Sequence, residues 1–169
     1  MPSVNTKRIE ESATTALKAA LLRCPILESY IDSNDKTPSW DGTVFVYKSE
    51  KTKKEDLAGR VPIQIKGTEK VIVSDTATFS CSIADFNNYY KDGGCIFFLI
   101  SVDLSSGNSR IFYKTLLVVD LDKIIKGAGK QKTSTIHLNL LPAEANEISS
   151  IFMEFTDNVH KQMGFIGKD

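Results

Sequence analysis

Histidine and cysteine are scarce in this chain, and their placement removes whole classes of chemistry. The three cysteines, Cys24, Cys81 and Cys95, lie far apart and form no CxxC pair, and neither His137 nor His160 stands at zinc-ligand spacing from them. A zinc-stapled fold is excluded, and the scattered, odd set of thiols points to reduced cysteines in a cytosolic (cytoplasmic) protein. The histidines have no Ser or Cys nucleophile in a recognisable context, so a triad hydrolase is not supported and both are expected to be structural. Long apolar runs are also missing. The longest, Cys95 to Ile100, is far short of the roughly 20 residues of a membrane helix, so it reads as a buried strand and no membrane association is expected. The N-terminal stretch from Met1 to Arg8 runs into a charged amphipathic segment with no apolar signal region, which argues against secretion.

Charge of either sign is balanced, with 21 Lys and Arg against 21 Asp and Glu. A chain without a global basic field is not a simple DNA-coating protein. The lysines are nonetheless uneven: Lys48, Lys51, Lys53 and Lys54 form one group and Lys123, Lys126, Lys130 and Lys132 another. Each group could meet phosphates or could simply be solvated. The segment Gly127-Ala128-Gly129-Lys130-Gln131 lacks the GxxxxGK spacing of a phosphate loop and precedes a strand pattern, so it reads as a surface turn. Tyr89, Tyr90 and Tyr113 could stack on bases, although aromatics in amphipathic elements more often belong to a core or its rim.

What is present describes one α/β domain spanning residues 1–169. At 41% hydrophobic residues the chain can bury a core without disulfides or a structural metal. Apolar residues at helical spacing from Thr6 to Leu22 predict a first helix that stops before Pro25. A polar, turn-forming stretch from Ser33 to Pro38 follows. Strands are predicted over Thr43–Tyr47, up to Lys66 after the Lys-rich link, and over Lys70–Ser74. Ser82 and Asp85 read as a helix N-cap with its reciprocal acid, Ile83, Phe86 and Tyr90 as the apolar side of that helix, and Gly93-Gly94 as its stop. Cys95–Val102 and Arg110–Val119 should be central strands, followed by a short helix and a strand over Thr135–Leu140. A last helix begins at Pro142 and carries Ile148, Ile151, Phe152, Phe155, Val159 and Met163 on one face. Phe165 and Ile166 follow that helix, and the chain could be the first domain of a longer protein.

The most informative residues are Asp41, at the head of the first of these strands, and Gln64-Ile65-Lys66, at the end of the next. Strand side chains alternate, so Gln64 and Lys66 share one face while Ile63 and Ile65 share the other. An acid, a side-chain oxygen and a cation two residues beyond it form a site suited to a divalent metal and a phosphate. A buried Gln64 between two isoleucines also needs partners for its amide.

This arrangement resembles the PD-(D/E)XK nuclease superfamily, with Asp41 as the first acid and Gln64-Ile65-Lys66 as a QxK form of the second motif. Trp40 stands where the family often has proline. It is most similar to a bacterial domain-of-unknown-function type of the superfamily, often found at the N-terminus of larger proteins, defence proteins among them. The resemblance implies a restriction-endonuclease-like core: a mixed central β-sheet flanked by helices. It implies an endonuclease that cleaves DNA, in preference to RNA, with Mg2+ or Mn2+ as cofactor and a role in antiviral defence. The metal ligands would be Asp41, the Gln64 amide oxygen and the Ile65 carbonyl. Glu10, from the first helix, would compensate the charge lost at Gln64, although an acid there also suits the helix dipole. Lys66 would orient the attacking water or stabilise charge on the phosphate. Lys48, Lys53 and Lys54 would contact the nucleic acid, and a fused sensor domain or a homo-oligomer would complete the assembly. The alternative is a catalytically degenerate nuclease-fold domain that binds nucleic acid or a protein partner without cutting.

Overall fold

A computed structural model describes residues 4–31 and 41–166. In chain order these form α1 (Val4–Leu22), β1 (Leu27–Ile31), β2 (Gly42–Tyr47), β3 (Leu57–Thr68), β4 (Thr76–Ser82), α2 (Ile83–Lys91), β5 (Cys95–Val102), β6 (Ser109–Leu116), α3 (Val118–Ala128), β7 (Thr133–Leu140) and α4 (Ala145–Ile166). The seven strands make one mixed sheet in the order β1-β2-β3-β5-β6-β7-β4. β3 and β5 run parallel, joined through β4 and α2, and the other pairs are antiparallel. A mixed sheet flanked by helices is the architecture expected.

The central position of β5 explains its composition. All eight of its residues are buried, because both faces of the strand are covered and alternation cannot be polar on either side. Ile96, Phe98 and Ile100 pack with Ala13 and Leu17 of α1 and Ile148, Phe152 and Phe155 of α4. The Phe98 and Phe152 rings are stacked with centroids 6.3 Å apart. On the opposite face, Phe97 and Leu99 pack with Phe86 and Tyr89 of α2, Leu121 of α3, and Ile136 and Leu138 of β7.

Several predicted elements move. β1 was not expected, and it begins two residues after Pro25 as an edge strand whose Leu27 and Ile31 are buried. The strand expected at Lys70–Ser74 is irregular, and β4 begins two residues after it. Val71 and Val73 of that segment point outward, 79% and 85% exposed. Side chains hold it in place of a neighbouring strand: Ser101 Oγ donates to the Lys70 carbonyl at 2.7 Å and Arg110 to the Ile72 carbonyl at 2.6 Å. β6 ends at Leu116, and Val118 and Val119 open α3. In α2 the buried tyrosine is Tyr89, while Tyr90 is 40% exposed. α4 continues to Ile166, so Phe165 and Ile166 belong to the helix. His137 and His160 are both exposed. The turn expected at Ser33–Pro38 and the residue Trp40 lie outside the described residues.

Ser82 caps α2 as expected, its hydroxyl accepting from the Asp85 N–H at 3.1 Å, but the reciprocal bond expected of the Asp85 carboxylate is not made. The helix that Ser82 starts is stopped by Gly93 and Gly94, with φ of +88° and +98°. At Gly94 an added Cβ would stand 2.5 Å from the Leu116 carbonyl oxygen, and backbone cannot swing aside as a long side chain can. Gly94→Ala therefore combines a disfavoured φ with a fixed clash, for an expected loss of about 2–4 kcal/mol by urea denaturation.

Candidate functional site

The site is built where β2 begins and β3 carries on past it. β2 pairs with β3 from Gly42↔Ile63 onward, and the Asp41 N–H still donates to the Ile63 carbonyl at 3.3 Å. The next outward-facing β3 group on that side, the Ile65 N–H, donates to Asp41 Oδ2 at 2.7 Å. The Asp41 carboxylate thus takes the place of the missing strand. Strand geometry turns the Ile65 carbonyl to the same edge as its N–H.

Face assignment follows from the same register. Gly42 lies opposite Ile63 on the α1/α4 face, so Asp41 shares the other face with Gln64 and Lys66. The register therefore sets these three residues on one face of the sheet. Gln64 is 7% exposed, and its Oε1 is buried without a hydrogen-bond partner. An orphaned amide oxygen at that depth costs about 1–3 kcal/mol. Lys66 is half-buried, two residues further along the same face.

Tyr89 covers this face and gathers its charges. Burial raises its phenol pKa well above the ordinary value, with further upward pressure from Cys95, Asp85, Cys81 and Asp41. Burial pushes the Cys81 thiol up to about 12, with the Asp85 carboxylate adding to the shift and the Lys66 ammonium opposing it. The Cys95 thiol is raised chiefly by burial. Asp85 and Tyr89 are the neighbours that sequence reasoning missed. Asp85 was visible only as a helix cap.

The other predicted contributors lie elsewhere. Glu10 is exposed on α1, and α1 covers the opposite face: a Cβ at Gly67 would meet Ile9 and Ala13 of that helix. The sheet therefore separates the helix that carries Glu10 from the face of Gln64 and Lys66. Lys48, Lys53 and Lys54 are exposed in the β2–β3 connection, at the far end of the hairpin and about 20 Å from Asp41 by strand rise. They cannot touch the same phosphate as Lys66. Among the described residues no three His, Cys, Asp or Glu side chains gather at metal-holding distance. The oxygens suited to a hard cation are thus one carboxylate, Asp41, and the neutral oxygens of Gln64 and Ile65. No helix among the described residues is long and apolar enough to cross a membrane.

Comparison with family models, curated proteins and solved structures finds no match for this chain.

Proposed function

We propose that this chain is a metal-dependent DNA endonuclease of the PD-(D/E)XK kind, with its centre at Asp41, Gln64, Ile65 and Lys66. The observation that carries the proposal is the buried, unpartnered Oε1 of Gln64, on the same face as an acid and a lysine. A hydrophobic residue would fill that position without penalty, so the amide is retained for something it binds. The residues fit a hard divalent cation: the Asp41 carboxylate, the Gln64 amide oxygen and the Ile65 carbonyl would hold Mg2+ or Mn2+. Such an ion neutralises charge on a phosphate and acidifies water when bound. Lys66 supplies a cation for a non-bridging phosphate oxygen or orients the attacking water, and Tyr89 closes the face against bulk solvent. A cytosolic defence effector joined to a sensor domain is the setting that goes with this activity.

The test is cleavage of supercoiled plasmid in Mg2+ or Mn2+, with EDTA and Lys66→Ala as controls. Cutting should require metal and fall on the order of a hundredfold in the variant, the scale for removing one charge-stabilising group. One observation favours a second reading, a nuclease-fold domain that binds without cutting. Asp41 already serves the Ile65 N–H, and it is the sole carboxylate of the proposed ligand set. Metal-independent retention of labelled DNA in a gel shift, with no cleavage in any divalent cation, would establish that reading instead.

A further inference from the structure

The geometry points to β4 as a self-pairing edge: two copies of the chain join their β4 strands antiparallel about a two-fold axis at Phe79. Among the described residues β4 is the last strand of the sheet and pairs with β7 alone. Its partner-facing groups can be assigned. The Leu140 N–H donates to the Asp75 carbonyl at 2.9 Å and the Ile83 N–H to the Lys132 carbonyl at 2.8 Å. Both pairs belong to the β4–β7 register, so Ala77, Phe79 and Cys81 direct their N–H and C=O toward β7. Thr78 and Ser80 therefore turn theirs to the open edge.

The edge is accessible and undefended. The consecutive residues from Thr76 to Ser80 all border a groove of about 720 Å³, whose wall includes the exposed Val71 and Val73. Natural edge strands are usually blunted by charge, proline, a bulge or short length. β1, the other edge, has only five residues and carries Glu28. β4, Thr-Ala-Thr-Phe-Ser-Cys-Ser, has none of these devices.

The occupant follows from the sequence of the strand, which is palindromic in chemical type about Phe79. In an antiparallel pair centred there, Thr78 lies opposite Ser80 of the second copy and Ala77 opposite Cys81, while Phe79 meets its own equivalent. Thr78 and Ser80, whose backbone groups face outward, then satisfy one another in reciprocal bonds on both sides of the axis. Hydroxyl meets hydroxyl on the outer face, as Ser80 and Thr135 already do within the chain at 2.8 Å.

Sedimentation velocity from micromolar to millimolar protein tests the pairing. The wild type should show a concentration-dependent dimer. Thr78→Pro removes an N–H that β7 does not use and should weaken dimerisation at least about tenfold with unchanged circular dichroism. Thr78→Lys, which leaves the backbone intact and charges the edge, should do the same. A wild type that stays monomeric throughout, or a dimer that survives both substitutions in folded protein, overturns the proposal.

Discussion

Gln64→Met is expected to make the protein more stable and, under the proposed function, to weaken metal-dependent cleavage on the order of a hundredfold. The two effects have one cause. In the absence of a ligand the Gln64 Oε1 is buried and unsatisfied, so replacing the amide with an apolar side chain of similar length should add about 1 kcal/mol of stability. The same change deletes a neutral oxygen from the ligand set, and cleavage should fall on the order of a hundredfold. A readout independent of turnover separates these effects. Mn2+ at a hundred times its dissociation constant should stabilise the wild type by about 2.7 kcal/mol and leave Gln64→Met unmoved. Gln64→Glu should behave in the opposite sense, less stable without metal because it buries a charge, and more strongly stabilised by it. A Gln64→Met protein that still cuts, or that responds to Mn2+ like the wild type, would remove Gln64 from the site.

Alkali should destabilise this protein as its buried thiols are driven to ionise. Cys81 and Cys95 are buried and their thiols are held protonated in the fold, Cys81 up to about 12 from an ordinary 9.0. The sign follows from linkage. Both folded pKa values are raised, so the stabilisation is complete below pH 9 and is lost as pH climbs toward the folded values, because the unfolded chain releases protons first. A thiol held protonated in this way costs up to about 1.4 kcal/mol per pH unit in that window. Tyr89, whose phenol is raised from 10.0, steepens the fall above pH 10. Urea midpoints measured from pH 7 to 11 should show this limb, and Cys95→Ala should flatten it. An unchanged slope in that variant would mean that the thiol does not remain buried.

The elements most legible in the sequence were those with two-sided burial or an unambiguous stop. β5 announced itself as an unbroken apolar run, and α2 by Ser82 at one end and Gly93-Gly94 at the other. The shared face of Gln64 and Lys66 was legible because period-two alternation fixes faces within one strand, whereas the place of Asp41 beside them needed the register of Gly42 on Ile63. What could not be read was long-range. Val71, Ile72 and Val73 have strand character, but Ser101 and Arg110 take the carbonyls of Lys70 and Ile72, and those partners lie some thirty or more residues away. Glu10 lies at the edge of an apolar stripe that was identified correctly. Which face of the sheet the stripe covers shows only in the fold, where Ile9 and Ala13 approach closely at Gly67, which has no side chain to block them.

The position of β4 also sets a difficulty for the ribosome. β1, β2 and β3 are neighbours in sequence and can pair as they emerge, but Thr76 must wait for Asn139 and Ser82 for Thr133. Until that late segment is synthesised, β4 is exposed on both edges, and contacts of such sequence separation form slowly. Nascent chains held at about Lys130 would therefore be the most adhesive species in the life of this protein, and the stage at which a chaperone matters most.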